Sequence, residues 1–311
     1  VARGHGGDVM SPSVVVLAGG TGGAKLARGM LDVVGDDLTV IANTADDIEI
    51  YGAYVSPDPD LCMFWLADRI DERGWGLRDD SFAVMDGLRE LGVDVWFRLG
   101  DRDLAIGIER ARRIAEGGRL TDALAELGAA LGVGARVLPM TDEPVRSWVR
   151  ADASWTAFQE FMIRAGGAGR IEDVQLRGIE DARPVPEVLE AIAAADAIVV
   201  GPSNPVISIG PILAVPAMRQ AILDSSAPVV AVSPVVDGAI LKGPTEAFLR
   251  WAGHGLSSDA IVAYYDGLID GLVADEAADG IPVLRTDMLM RDAAGRRHLA
   301  ADTLRFAEAL A

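Results

Sequence analysis

The stretch Val14–Leu26, VVVLAGGTGGAKL, constrains what this chain can fold into more than any other. The aliphatic run from Val14 to Leu17 suits a strand covered on both faces of a sheet. It breaks into Gly19-Gly20-Thr21-Gly22-Gly23, after which Leu26, Met30 and Val34 fall on one face of a helix. Strand, glycine turn and helix together point main-chain N–H groups and the positive end of a helix at an anion. Glycine removes the Cβ that would hold a phosphate away from the backbone. Lys25, one turn into the helix, adds a point charge. The segment fits neither common fingerprint. Lys25 stands where a dinucleotide loop has its last glycine, and Asn43 where that fold keeps its ribose-binding acid. A P-loop needs glycine before the lysine and serine or threonine after it, and here those places hold Ala24 and Leu26. The reading is a loop that anchors a phosphorylated ligand, with a tight ligand-free turn as the alternative.

An acidic chain that binds phosphate needs a local source of positive charge. The formal charge is −19 over 311 residues, which argues against nonspecific binding to nucleic acid. Main-chain amides, a few placed Arg or Lys residues, or a divalent cation on carboxylates would each supply what is missing. Half the residues are hydrophobic, enough for the core of an α/β domain over 13–311. No apolar run reaches the length of a membrane span, and the start, VARGHGGDVMSPS, lacks the apolar segment of a signal peptide. Residues 1–12 therefore read as a disordered leader. The single cysteine, Cys62, excludes an internal disulfide and suits a reducing cytoplasm.

Strands are expected at Leu38–Ala42, Arg136–Met140, Ser147–Arg150, Val174–Ile179, Ala197–Val200, Pro228–Val232 and Pro282–Arg285. A short extended piece covers Ile48–Val55. From about 61 to 132 the apolar period turns helical, with one strand expected inside it at Val93–Leu99, and the stretch reads as a helical insertion. Helices are also expected at Pro186–Ala195, Asp259–Gly271 and Ala301–Ala309. Strands alternating with helices mean a Rossmann-like, doubly wound and mainly parallel α/β sheet.

In such a sheet, ligands sit beyond the carboxyl ends of the strands. The unusual polar clusters all fall at such ends: the glycine loop, Asn43–Asp47, Gly201–Pro205 and Ser233-Pro234. Asp46, Asp47, Asp58 and Asp60 are the hard oxygen donors that Mg²⁺ takes, one or two at a time with phosphate and water. Helix capping is the alternative for Asp58 and Asp60. Ser203 and Asn204, held between prolines, suit a base, a ribose or a phosphate, while Asn204 capping a helix is the plainer reading. Arg98 with Gly100-Asp101-Arg102-Asp103 is either an anion clamp or an internal charge network. His5, His254 and His298 are scattered, so thiol, zinc and histidine-triad chemistry lack their parts. Metal-assisted group transfer by positioning and charge neutralisation is what the residues leave open.

Taken together, LAGGTGGAKL, NTADD, SPDPD, RLGDRD, LPMTDEPV, GPSNPVISIGPIL and SPVVDGAILKGP resemble the 2-phospho-L-lactate transferase family of coenzyme F420 biosynthesis, in order from Leu17 to Pro244. The resemblance implies transfer of a phospholactyl group from a guanosine-diphosphate-linked donor to the ribityl hydroxyl of 7,8-didemethyl-8-hydroxy-5-deazariboflavin (Fo). GMP would be released and Mg²⁺ required, and in some bacterial members the donor carries enolpyruvate. It further implies a homodimer with a Rossmann-like core. Carried over by motif, Asp60 and Arg98 fall at the Fo site, and Asp46 and Asp60 act as catalytic residues and Mg²⁺ ligands. Gly19, Gly20, Thr21, Gly22, Gly23, Lys25, Ser203 and Asn204 would hold the nucleotide. On this basis Asp60→Ala is expected to abolish turnover and leave the fold intact. The chain departs from the family pattern at Pro59, Leu61, Asp237 and Leu241. A nucleotide-sugar-type transferase and a regulator that binds a phosphorylated ligand without turnover are the rival readings.

Overall fold

The computed structural model describes residues 11–311, so the leader expected over residues 1–12 lies outside the described residues except for Ser11 and Pro12. β1 (Val14–Ala18) runs through the glycine turn into α1 (Gly20–Val34), and β2 (Leu38–Ala42) returns beside β1. A hairpin of β3 (Ile48–Ile50) and β4 (Ala53–Val55) follows. Four helices then precede β5 (Arg136–Pro139): α2 (Pro57–Leu66), α3 (Ala83–Glu90), α4 (Asp101–Ala115) and α5 (Leu120–Leu131). A second excursion holds β6 (Arg146–Ala151), β7 (Ser154–Ala157), α6 (Phe158–Arg164) and β8 (Ile171–Arg177). After it come β9 (Ala197–Val200), β10 (Val229–Val232), the short hairpin β11 (Val235–Val236) and β12 (Ala239–Ile240), β13 (Gly271–Ala274) and β14 (Val283–Arg285). A helix over Ala293–Leu310 closes the chain.

Seven strands form one sheet in the order β14-β13-β10-β9-β1-β2-β5, every pair parallel. The expected Rossmann-like α/β architecture is what the chain adopts. Strand period explains why β1 is apolar throughout. Val14, Val16 and Ala18 join the core on one face of the sheet, and Val15 and Leu17 join the core on the other. β9 and β10 divide their residues the same way, so neither face of the central strands reaches water. The strand order also fixes where a crevice opens. From β1 the chain builds outward through β2 to β5, then crosses to β9 and builds the other way, so the order reverses between β1 and β9. The loops after those two strands diverge and leave room between them.

Four expectations are corrected. Ser147–Arg150 and Val174–Ile179 do form strands, but they pair antiparallel in a separate three-stranded sheet, β7-β6-β8. Their burial alternates, as befits a sheet with one wet face, which is why they read as strands without belonging to the buried parallel set. Val93–Leu99 is not a strand: it has no ladder partner, and Val93 is exposed. The helix expected over Asp259–Gly271 stops at Tyr264, and Gly271 opens β13. The last helix begins at Ala293 rather than Ala301, capped by the Asp292 side chain on the Gly295 N–H.

No single helix among the described residues is long and apolar enough to cross a membrane. The bent pair Pro205–Ala214 and Met218–Asp224 passes on length and composition together, and its Ile209, Ile212, Met218 and Ile222 are packed in the core.

Close helix packing holds the crevice from behind. A Cβ on Gly29 of α1 would stand 2.6 Å from the Arg296 carbonyl carbon and closer still to its oxygen. Alanine gains about 1 kcal/mol over glycine in a helix interior, whereas overpacking costs about 1–3 kcal/mol. Here the obstacle is backbone, which cannot swing aside. Gly29→Ala is therefore expected to lower the midpoint of thermal unfolding; an unchanged or raised midpoint would refute the close approach.

Candidate functional site

The crevice is built by two loops packed main chain to main chain. A Cβ on Gly22 would strike the Pro202 carbonyl oxygen, and one on Gly23 would lie 2.6 Å from Ser203 Oγ. Gly20 sits at φ +62, a left-handed conformation that glycine takes without strain. The Gly19 N–H donates to Ser203 Oγ at 3.3 Å. Asn204 does cap its helical turn, its Oδ1 accepting from the N–H groups of Val206 (3.0 Å) and Ile207 (3.3 Å). Its Nδ2 is buried with no partner and belongs to a residue that lines the cavity. Capping and ligand binding are thus not alternatives: one end of the amide does the first and leaves the other end free.

The acids divide in a way that their spacing does not show. Asn43, fully buried, donates from Nδ2 to Asp46 Oδ2 and to Asp58 Oδ2, 3.0 Å each. Asp58 Oδ1 accepts the Gly20 N–H at 2.7 Å and so ties α2 to the glycine turn. Asp46 Oδ1 is buried without a hydrogen-bond partner. Burial first, and then the neighbouring Asp58 charge, pushes Asp46 well above the usual carboxylate range, and burial also raises Asp58. Such a pair is held ready for positive charge. Two carboxylates beside a phosphate-type loop fit Mg²⁺, which takes one or two with phosphate oxygens completing its shell. Among the described residues no three His, Cys, Asp or Glu side chains come close enough for an all-protein metal cage.

Asp60 faces a different partner. Both its oxygens accept from Arg110 of α4, Oδ2 from Nη1 at 3.1 Å and Oδ1 from Nη2, and Arg110 is fully buried. Arg110 also donates to the Tyr54 carbonyl at 2.9 Å. Asp60 lines the cavity but arrives there already neutralised, so the geometry gives the bare-acid role to Asp58 beside Asp46. Asp47 does not line the cavity; it accepts the Ser56 hydroxyl at 2.7 Å and is pushed up to about 7 by burial against the pull of Arg146.

All of these elements open on one cavity of about 790 Å³. Gly19, Gly20, Thr21, Gly22, Lys25, Asp46, Asp60, Arg98, Ser203 and Asn204 line it, and so do Ser233 and Pro234 after β10. Gly23 does not; it is a packing residue. The segment Trp96–Leu99 lines another wall, where the Trp96 and Phe97 rings stack with centroids 5.7 Å apart and the Arg98 guanidinium lies 4.0 Å from the Phe82 ring centroid. Of the Gly100–Asp103 charges only Asp103 faces the cavity, pushed up to about 7 by burial and by the Asp60 charge. Asp101 caps α3 from outside through the Ala83 and Val84 N–H groups, and Arg102 pairs with Asp80. Two of the four departures from the family pattern, Leu61 and Leu241, line the cavity. Sequence reading did not single out Trp96, Phe97 or Lys242, although Lys242 stands beside the Gly243-Pro244 turn signal in SPVVDGAILKGP.

Sheet, switch-point crevice and cavity place the protein among Rossmann-like α/β proteins with a ligand site at the strand ends. The family model described as 2-phospho-L-lactate transferase CofD matches residues 14–304, and the chain belongs to that family of coenzyme F420 biosynthesis. It is 40% identical to a phosphoenolpyruvate transferase of Kitasatospora aureofaciens over 95% of this chain and 98% of that one. Against the 2-phospho-L-lactate transferase of Methanopyrus kandleri the identity is 39%, covering 97% and 99%. The enzyme of the same description from Methanosarcina mazei is 36% identical, covering 92% and 98%. A crystal structure of a UPF0052-family protein from Bacillus halodurans shares the fold, with a TM-score of 0.62 at 19% identity over 95% of this chain and 99% of that one.

The division of the acids has an energetic consequence. Removing one partner of a buried ion pair costs about 3–5 kcal/mol, so Asp60→Ala or Asp60→Asn would leave Arg110 charged and alone, and the expectation of an intact fold is revised. Asp46→Asn, by contrast, removes a like-charge repulsion and keeps an acceptor for Asn43. Thermal melts are expected to show a large fall for Asp60→Asn and none for Asp46→Asn. Equal losses in the two variants would contradict the separation.

Proposed function

We propose that the chain transfers a phospholactyl or phosphoenolpyruvyl group from a guanosine-diphosphate-linked donor to the ribityl hydroxyl of Fo, releasing GMP. The observation that carries this reading is a single cavity lined by both a phosphate-type glycine turn and an aromatic wall. A hydroxyl attacks phosphorus in line with the departing GMP, which calls for alignment and charge cancellation more than for a strong base. The Gly19 and Gly20 amides are already engaged by Ser203 and Asp58, so the amides left for phosphate oxygens are those that follow, at Thr21 and Gly22. Asn204 Nδ2 offers a further donor to the nucleotide. Trp96 and Phe97 give the planar deazaflavin a surface to stack on, with Arg98 beside it. Asp46 and Asp58 would hold Mg²⁺, which supplies charge neutralisation at the diphosphate when bound.

The test is mass spectrometry of the product formed from Fo with the lactyl and the enolpyruvyl donor in turn, alongside GMP release. F420-0 or dehydro-F420-0 is expected, and no product with either donor would refute the reading. Chelation of divalent cations is expected to stop turnover and added Mg²⁺ to restore it. Asp46→Asn and Asp58→Asn should each lower kcat about 100-fold or more while Fo still binds; near-normal rates would remove them from the site. The homodimer carried by the family resemblance is part of the same proposal, and light scattering of the purified chain checks it.

A further inference from the structure

The chain has 26 arginines and two lysines. Both lysines, Lys25 and Lys242, line the cavity. They come from unrelated elements, Lys25 from the second turn of α1 and Lys242 from the segment just after β12. Lys242 reaches across the mouth, its Nζ 3.6 Å from the position a Cβ on Gly74 would take, in the loop joining α2 and α3. Among the described residues every ion pair within 4.0 Å is made by arginine or histidine, none by a lysine. Lys25 instead donates to the Met290 carbonyl at 3.5 Å and lies 5.6 Å from the Trp65 ring centroid.

In a chain of net charge −19, two cavity-lining ammonium groups without a carboxylate stand out. Burial first, then the like charges of Arg296 and Lys242, hold Lys25 below the usual ammonium range. An anion lying between the two would outweigh that mutual repulsion. Lysine also suits the task better than arginine: it is a compact point charge with rotatable donors on a flexible stem, able to follow an oxyanion as it moves.

We propose that Lys25 and Lys242 form a two-ammonium clamp on an oxyanion of the donor, either its diphosphate or the carboxylate of its three-carbon acid. This rests on the donor reading above, deepens it with a residue from a separate part of the fold, and makes the β11–β12 hairpin part of donor recognition.

Reductive methylation of the full chain with formaldehyde and a borane, followed by peptide mass spectrometry, reads the clamp directly because the chain carries two lysine side chains in all. Both are expected to be labelled in the free protein. If GDP with Mg²⁺ slows labelling of both about tenfold, the occupant is the diphosphate; if phosphoenolpyruvate does so and GDP does not, it is the carboxylate. No protection by either overturns the clamp. Lys242 is exposed, so Lys242→Met is expected to fold normally. A charge-assisted hydrogen bond contributes enough that its loss should raise the donor KM about 10- to 100-fold. Fo binding, followed by deazaflavin fluorescence, should be unchanged, and Lys242→Arg should recover part of the loss. An unchanged donor KM in Lys242→Met also overturns the clamp. Protection without any turnover would refute the transfer reading and keep the clamp, whereas turnover without protection would do the reverse.

Discussion

The crevice depends on two loops meeting where Gly22 and Gly23 leave no Cβ between them. The turn after β1 and the turn after β9 touch through the Gly22 and Gly23 positions, where Pro202 and Ser203 occupy the space a Cβ would need. That contact exists because β1 and β9 are neighbours in the sheet while the chain between them has built the other half. A crevice is left on the rim just beside the contact, with main-chain donors in its wall. The glycines therefore serve packing as much as ligand approach, and Gly23 serves packing alone.

Around that contact the protein sorts its charge by depth and partner. Asp60 is matched to Arg110 and becomes part of the frame, while Asp46 and Asp58 share the single amide of Asn43 and stay short of positive charge. A buried pair of acids bridged by one asparagine is a poor stabiliser, and its presence costs the fold something that a cation can return on binding. Across the same cavity two ammonium groups lack acids. Unmet charge of both signs in one space suits a ligand that carries phosphates together with a divalent ion. It suits a permanent internal salt bridge poorly, since a chain with as many arginines as this one could have closed such a bridge.

Much of the fold was legible because strand and helix periods are local properties. Val14–Leu17, Ala197–Val200 and the glycine turn announced the buried parallel sheet, and the prolines around Ser203-Asn204 announced a rigid turn. What misled was partnership. Ser147–Arg150 carries a strand period whether its neighbours run parallel or antiparallel, and the apolar end of Val93–Leu99, from Trp96 on, lines a cavity rather than joining a ladder. Asp58 and Asp60, two residues apart on the first turn of α2, look equivalent in a list of acids. They point to different partners because a helix turns about 100° per residue.

The amino-acid order by itself determined the class of fold, the position of the phosphate-type turn, the family, and the rim where the polar clusters gather. These follow from hydrophobic period, turn chemistry and short motifs, each written within a few neighbouring residues. Only the tertiary structure decided that Arg110 neutralises Asp60, that Asp58 joins Asp46, and that Lys242 comes to share a cavity with Lys25. Arg110 with Asp60 and Lys242 with Lys25 join residues far apart along the chain, and even the closer choice between Asp58 and Asp60 as partner of Asp46 is settled by the path of the backbone through space.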